Sequence, residues 1–112
     1  MTRYANNFDH TLPFSDAGAM VLLVASTAVA YTVPGTANQS YRAKFSISST
    51  ADAWVCLNGT AVLPTSGAAT ATYKQERIDD GLIKYVKGGD SLSFISSTTP
   101  QIGVSFILVQ QT

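Results

Sequence analysis

Charge is scarce in this chain of 112 residues. Only 12% of the residues are charged, seven of each sign, and the formal net charge is zero. A chain without net charge has no long-range field that would attract a nucleic acid or an anionic membrane. We therefore expect no nucleic acid and no membrane among its partners. Contact with other protein molecules is the kind of association that such a surface tolerates.

The chain also has little of what covalent or metal chemistry requires. Its single cysteine, Cys56, excludes an internal disulfide framework and is interpreted as a small, partly buried hydrophobic residue. Asp79, Asp80 and Asp90 do not have the spacing of a calcium loop, and carboxylates are ordinary turn residues. The Gly-Gly-Asp sequence at 88–90 lacks the lysine of a phosphate-binding loop and predicts a hairpin turn. We expect no metal site, no cofactor-binding residue and no cofactor.

Histidine is nearly absent, which argues against catalysis. The only one, His10, lies beside Asp9, and neighbouring side chains of an extended chain point to opposite sides. No G-x-S-x-G sequence is present to hold a nucleophilic serine, and nothing near Cys56 in the sequence would favour a thiolate paired with His10. We predict that the protein is not an enzyme and has no catalytic residues. A small hydrolase, the enzyme alternative, would need His10 beside a nucleophile.

Long hydrophobic runs are missing as well. Residues 17–33 are uncharged and largely apolar, but they include Ser26, Thr27 and Thr32 and end at a Pro-Gly pair. A membrane-spanning helix needs about 20 consecutive apolar residues. A signal peptide is a second alternative, because the Ala-Val-Ala sequence at 28–30 resembles a cleavage site, but no basic n-region precedes it. We favour two strands, at 20–24 and 29–33.

What the chain does have is alternation, most clearly at residues 41–48. Apolar residues occupy the odd positions and charged or hydroxyl residues the even ones, which predicts a strand with one buried face. A second extended run at 53–57 ends at Asn58-Gly59, a dipeptide that tolerates positive φ in a tight turn. We predict that the two runs form a hairpin. Its buried side is predicted to contain Tyr41, Ala43, Phe45, Ile47, Val55 and Leu57.

Turn sequences divide the rest of the chain into short strands. We predict these at residues 20–24, 29–33, 73–78, 82–86, 91–96 and 104–109. Together with the two runs above they make about eight strands and no helix. Regular short strands of this kind are typical of an antiparallel β-sandwich, and eight of them fit a jelly roll. We predict a single all-β sandwich domain at residues 19–112.

Residues 1–18 have no sustained period and are predicted to form an extended N-terminal arm. Three aromatic residues in so short a tail need a large receiving surface, and we expect a groove on a neighbouring molecule to supply it. The predicted partner-binding residues are Tyr4, Phe8, Leu12 and Phe14.

Trp54 falls on the opposite side of its predicted strand from Val55. We expect it to pack in the core or between the sheets. An exposed platform for a sugar or a protein is the alternative.

Residues 48–61, with the sequence SSTADAWVCLNGTA, are followed by a strand pair, a Gly-Gly-Asp turn and a final VSFILV strand. This succession resembles small structural proteins of tailed bacteriophages, in particular the decoration or cement proteins of the capsid. The resemblance covers about residues 20–110 and leaves the arm out. It implies a jelly-roll or β-sandwich virion protein on the outer surface of the capsid, where it binds the major capsid protein and stabilises the shell.

Two further expectations complete this interpretation. The low charge density leaves faces that can pair, so we expect a homo-oligomer, a dimer or a trimer, on the capsid. The alternative function is a phage fibre or spike, or a carbohydrate-binding β-sandwich module, which would stack sugars on Trp54 and on tyrosines.

Overall fold

A computed structural model describes residues 14–48, 50–64 and 74–111. This part of the chain contains eight strands and no helix, which confirms the predicted all-β class. Accordingly, it has no helix suited to crossing a membrane. The strands are β1 (Ala17–Leu22), β2 (Val29–Thr32), β3 (Gln39–Ile47), β4 (Ala53–Leu57), β5 (Gln75–Arg77), β6 (Ile83–Lys87), β7 (Ser91–Ser96) and β8 (Gln101–Gln111). The bounds of β4 and β7 are those predicted, and the others differ by one to three residues at an end.

The strands form two four-stranded antiparallel sheets. The first sheet has the order β1-β8-β3-β6 and the second sheet the order β2-β7-β4-β5. Four of the pairings join strands counted inward from the two ends of the series: β1 with β8, β2 with β7, β3 with β6, and β4 with β5. A long antiparallel ribbon that is rolled up on itself has these pairings, and β3–β8 and β4–β7 then close the two sheets. This topology is a jelly roll.

The core lies between the sheets and is built from the inward positions of alternating strands. Phe45 of β3 and Phe94 of β7 meet edge to face with ring centroids 6.2 Å apart. Tyr31 of β2 stacks on Phe106 of β8 at 6.0 Å. Because these contacts join opposite sheets, aromatic packing holds the two layers together.

The predicted hairpin of residues 41–48 and 53–57 is wrong. β3 pairs with β6 and β8, whereas β4 pairs with β5 and β7, so the two strands lie in different sheets. Alternation indicates which side of a strand is buried but not which strand lies beside it. Val55 and the inward residues of β3 up to Phe45 are buried as predicted, and Ile47 is partly buried. Leu57 is 46% exposed, because β4 ends there at the Asn58 turn.

The sandwich begins a little earlier than residue 19. Ala17 and Gly18 already belong to β1 and lie opposite Phe106 and Ser105 of β8. Just before them, the Asp16 backbone N–H donates to the Phe106 carbonyl at 2.7 Å. The last part of the predicted arm is therefore a strand of the first sheet, and residues 1–13 lie outside the described residues.

Candidate docking surface

The outward side of the second sheet is partly covered by the chain itself. Cys56 of β4, Ile95 of β7 and Ala61 of the segment that follows β4 form a small buried cluster there. The Ala61 backbone N–H donates to the buried Ser93 hydroxyl at 2.9 Å, which ties this segment to the sheet. Trp54 and Leu63 pack against the cluster and are half-buried. Trp54 thus lies on the opposite side of β4 from Val55, as predicted, but it packs on the outside of the second sheet rather than between the sheets.

The outward side of the first sheet, which we call the open face, exposes several large side chains. Tyr85 of β6 is 70% exposed, and Met20 and Leu22 of β1 are 67% and 62% exposed. The strand registers bring positions that are distant in the sequence together on this face. Its outward positions include Gly18, Met20, Leu22, Arg42, Lys44, Ser46, Ile83, Tyr85, Lys87, Gly103 and Ser105.

One half of the open face, formed by β3 and β6, is basic, and we call it the basic half. Its cations are Arg42, Lys44 and Lys87, and none of them forms an ion pair within the described residues. The Arg42 guanidinium lies 5.7 Å from the centroid of the Tyr85 ring, and Arg42 Nη2 donates to the Tyr85 hydroxyl at 3.5 Å. Cations that form no ion pair with a described residue are thus gathered around an exposed aromatic ring.

The other half of the open face, along β1, is apolar. Met20 and Leu22 project outward, and exposed Val24 follows them. Gly103 of β8 lies opposite Met20, and a Cβ atom there would come 3.2 Å from Met20 Sδ and 2.5 Å from Ser46 Oγ. The missing side chain leaves room for the Met20 sulfur beside the backbone of β8. A shallow depression of about 420 Å³ results, with the two glycines at 18 and 103 in its lining.

Of the predicted partner-binding residues, Phe14 alone is described. Its side chain is 97% exposed. It stands two residues before Asp16, whose carboxylate accepts a hydrogen bond from the Leu108 backbone N–H at 2.7 Å. Tyr4, Phe8 and Leu12 lie outside the described residues, so their role in partner binding stays a prediction.

The residues considered for metal binding have structural contacts instead. Asp80 accepts a hydrogen bond from the Ile47 backbone N–H at 2.8 Å, and Asp90 accepts one from the Lys87 backbone N–H at 2.9 Å. Among the described residues, no group of three or more His, Cys, Asp or Glu side chains is placed to hold a metal ion. Gly89 has a φ of 86°, as expected for the predicted turn. His10 lies outside the described part of the chain.

The space between the two sheets is small on the side of β5 and β6. A space of about 90 Å³ lies between the sheets on the side of β5 and β6, where the Lys84 and Glu76 side chains form an ion pair of 2.6 Å. It is smaller than the pockets of 300 Å³ or more that enclose small-molecule ligands. A second shallow depression of the open face, about 680 Å³, is lined by Lys44, Ser105 and the Asp80 turn.

The sequence indicated part of this surface and missed the rest. Alternation placed Arg42 and Lys44 on the wet side of their strand. It gave no sign that Tyr85 would stand beside Arg42, because that contact exists only through the β3–β6 pairing. Comparison of the chain with protein-family models, with curated proteins and with solved structures gave no match. The function is therefore argued from the surface itself.

Proposed function

We propose that this protein is a virion structural protein of a tailed bacteriophage: a decoration or cement protein that binds the outside of the major capsid protein shell and stabilises it. The observation that carries the proposal is the basic half of the open face. Arg42, Lys44 and Lys87 surround an exposed tyrosine and lack ion-pair partners among the described residues. Arginine and tyrosine are enriched where proteins bind one another.

The charges of this half point to the kind of surface that it fits. Unpaired cations are best complemented by an acidic patch, which orients the approaching molecule and disfavours wrong docking. The chain as a whole is neutral, so this attraction is local to the face. An acidic region on the outside of the shell, at a joint between major capsid subunits, is the proposed receptor.

The arm is proposed as the second point of attachment. Asp16 fixes the start of β1 to β8 through its backbone N–H and its carboxylate, so the chain before it leaves from a defined place. Exposed Phe14 stands beside that place. We assign Tyr4, Phe8, Leu12 and Phe14 to a neighbouring subunit, where aromatic anchors add affinity without requiring a large interface.

Stabilisation follows from mass action at many sites. A molecule that binds the expanded shell but not its dissociated subunits stabilises the shell by RT ln(1 + [L]/Kd) per site, about 2.7 kcal/mol at a hundredfold excess over Kd. Each contact is modest, and repetition over the shell multiplies the effect. No chemical step is needed.

The direct test uses expanded heads of the phage that encodes the chain, prepared without it. Purified protein added to these heads should sediment with them to a saturating ratio and raise the temperature at which they rupture. A Lys44→Glu/Tyr85→Ala variant should bind at least about tenfold more weakly, because it inverts a charge and removes the ring of the basic half. Failure of the unchanged protein to sediment with the heads would refute the proposal.

Lys74→Glu is the matched control. Lys74 is exposed just before β5 and, like Lys44, forms no ion pair within the described residues. Its reversal changes the net charge of the molecule by the same amount but leaves the open face intact. Binding within about twofold of the unchanged protein is expected. An equal loss in the two variants would mean that net charge, and not the basic half, governs attachment.

The arm is tested separately by deleting residues 1–13. A larger deletion to residue 18 would remove Asp16 and two residues of β1 and would confuse attachment with folding. We expect the shortened protein to stay folded and to lose affinity for the heads. Full affinity after the deletion would exclude residues 1–13 from the contact.

A fibre, spike or carbohydrate-binding module is the second candidate, and exposed Tyr85 is the observation that favours it. Sugars stack on exposed aromatic rings, and Arg42 beside the ring offers hydrogen-bond donors. Half-buried Trp54, packed on Cys56 and Ile95, offers less surface for stacking. Glycan-array binding that is lost in Tyr85→Ala, together with no attachment to heads, would favour this candidate.

A further inference from the structure

The four edges of the sandwich differ in charge. β5 and β6 end the two sheets on one side, and they carry Glu76, Arg77, Lys84 and Lys87. β1 and β2 end the sheets on the other side, and no charged residue occurs anywhere from 17 to 41. Charged side chains on an edge strand oppose pairing with another chain. The β5–β6 side has this protection, and the β1–β2 side lacks it.

The free edge of β1 has backbone groups directed away from its own sheet. The Leu23 backbone N–H donates to the Pro100 carbonyl at 3.0 Å, continuing the β1–β8 register. Hydrogen-bonded and non-hydrogen-bonded pairs alternate along an antiparallel ladder. Ala19 and Val21 therefore bond to β8, while the N–H and C=O groups of Gly18, Met20 and Leu22 face outward. No second strand lies beside β1 in the described part of the chain.

We propose that two copies of this chain pair antiparallel through β1, around a twofold axis at Met20, and so join their first sheets into one continuous sheet. In this register Met20 lies opposite Met20 of the second copy, and each Leu22 lies opposite a Gly18. All three are outward-bonding positions, so the pairing forms about six intermolecular backbone hydrogen bonds, two for each residue pair.

A second copy fits this edge for three reasons. An isologous twofold contact places a strand beside the same strand of the second copy, so like charges on that strand would repel one another. β1 carries no charge and avoids this repulsion. The large Leu22 side chain meets the position without a side chain, so the outward faces match in size. Met20 and Leu22, both more than 60% exposed in the single chain, become covered along the axis.

The contact is small beside standard interfaces of about 1,600 Å², and we therefore expect a weak dimer. Held close together on a shell, the same copies would pair more completely because their effective concentration is higher. The pairing itself does not depend on the capsid proposal. It is measured on the protein alone, and β1 lies outside the basic half, so either idea can fail without the other.

Sedimentation of the full chain between about 5 µM and 1 mM is the test. The mass should rise from 11.8 kDa towards twice that value. Met20→Lys places two like charges at the axis and should raise the dissociation constant at least about tenfold. Ile83→Lys is the matched control, since Ile83 is 43% exposed on the distant β6 strand of the same face; it should leave the dimer within about twofold.

Amide hydrogen exchange supplies a readout of the register. The amides of Ala19 and Val21 should be protected at every concentration, because they bond to β8. Those of Gly18, Met20 and Leu22 should gain protection only where the dimer forms. A mass that stays at 11.8 kDa at 1 mM would overturn the inference. So would an unchanged dimer in folded Met20→Lys, or protection that does not depend on concentration.

Discussion

The hydroxyl of Ser96 is fully buried at the end of β7. Its Oγ donates to the Asp52 carbonyl at 2.6 Å and accepts from the Thr98 backbone N–H at 3.1 Å. Asp52 lies in the link between β3 and β4, so a single side chain joins that link to the end of β7. Among the described residues, no buried side-chain nitrogen or oxygen lacks a hydrogen bond. The buried polar side chains of the described residues therefore stabilise the fold through hydrogen bonds.

We expect Ser96→Ala to lower the free energy of unfolding by about 1 to 3 kcal/mol, because it leaves the Asp52 carbonyl and the Thr98 N–H without this partner. Urea unfolding followed by circular dichroism measures the change. Ser97→Ala, at the exposed neighbouring position, is the control and should alter stability by less than about 0.5 kcal/mol. Equal losses of stability in the two variants would mean that the Ser96 hydrogen bonds make no specific contribution to the free energy of unfolding.

At the scale of the element, hydrogen bonds join the chain to β8 just before β1 begins and just after it ends. Asp16 bonds to Phe106 and Leu108 before the strand begins, and Leu23 bonds to Pro100 after it ends. An edge strand pairs on one side only, so such end contacts limit fraying. They also fix the place where β1 begins on the first sheet.

Asp16→Ala should loosen the start of β1, because the Leu108 backbone N–H loses its carboxylate acceptor. We expect the Leu108 amide to exchange faster, while the amides of Ile102 and Val104, at the other end of the pairing, stay nearly unchanged. Hydrogen exchange followed by NMR measures this. Ser15→Ala, at an exposed position, is the control. Uniformly faster exchange along β8 would mean that the change unfolds the strand globally.

At the same scale, the positions of the strands could be predicted from the sequence, but their pairing could not. A period of two is a local property, so the positions of the strands and the wet side of β3, with Arg42 and Lys44, were predictable. Pairing is a long-range property. The link between β3 and β4 crosses from one sheet to the other, which a turn dipeptide after β4 did not indicate. The basic half needs β3 and β6 to meet, and for that reason Tyr85 was missed.

At the scale of the whole molecule, zero net charge conceals an uneven distribution. Among the described residues, the basic half gathers three cations without an ion pair, ion pairs such as Arg77–Asp52 and Lys84–Glu76 lie on or beside β5 and β6, and the β1–β2 side is uncharged. The two proposed associations therefore use different forces. Docking on a shell depends on charge, whereas pairing through β1 depends on backbone hydrogen bonds and apolar contact.

The two proposed associations should differ in how strongly their affinity depends on salt concentration. Raising the salt concentration from 0.05 to 0.5 M shortens the Debye length to a few ångströms. Binding to phage heads should weaken by about tenfold, while the dissociation constant of the β1 dimer should change by less than about twofold. Head sedimentation and analytical ultracentrifugation, each across a salt series, measure the two. Equal salt dependence would contradict the division of the surface proposed above.

The pairing of β1 with β8 joins two segments that are made at different times during synthesis. Leu22 must wait for Gln101, 79 positions further along the chain, which takes the ribosome roughly 4 to 16 s at 5 to 20 residues per second. For most of that interval the uncharged stretch from 17 to 41 has been made without its partner strands. Refolding from denaturant should accordingly take milliseconds to seconds, as in other proteins dominated by distant contacts. We expect a lower growth temperature to raise the soluble yield, because uncharged, unpaired strands of neighbouring nascent chains can associate.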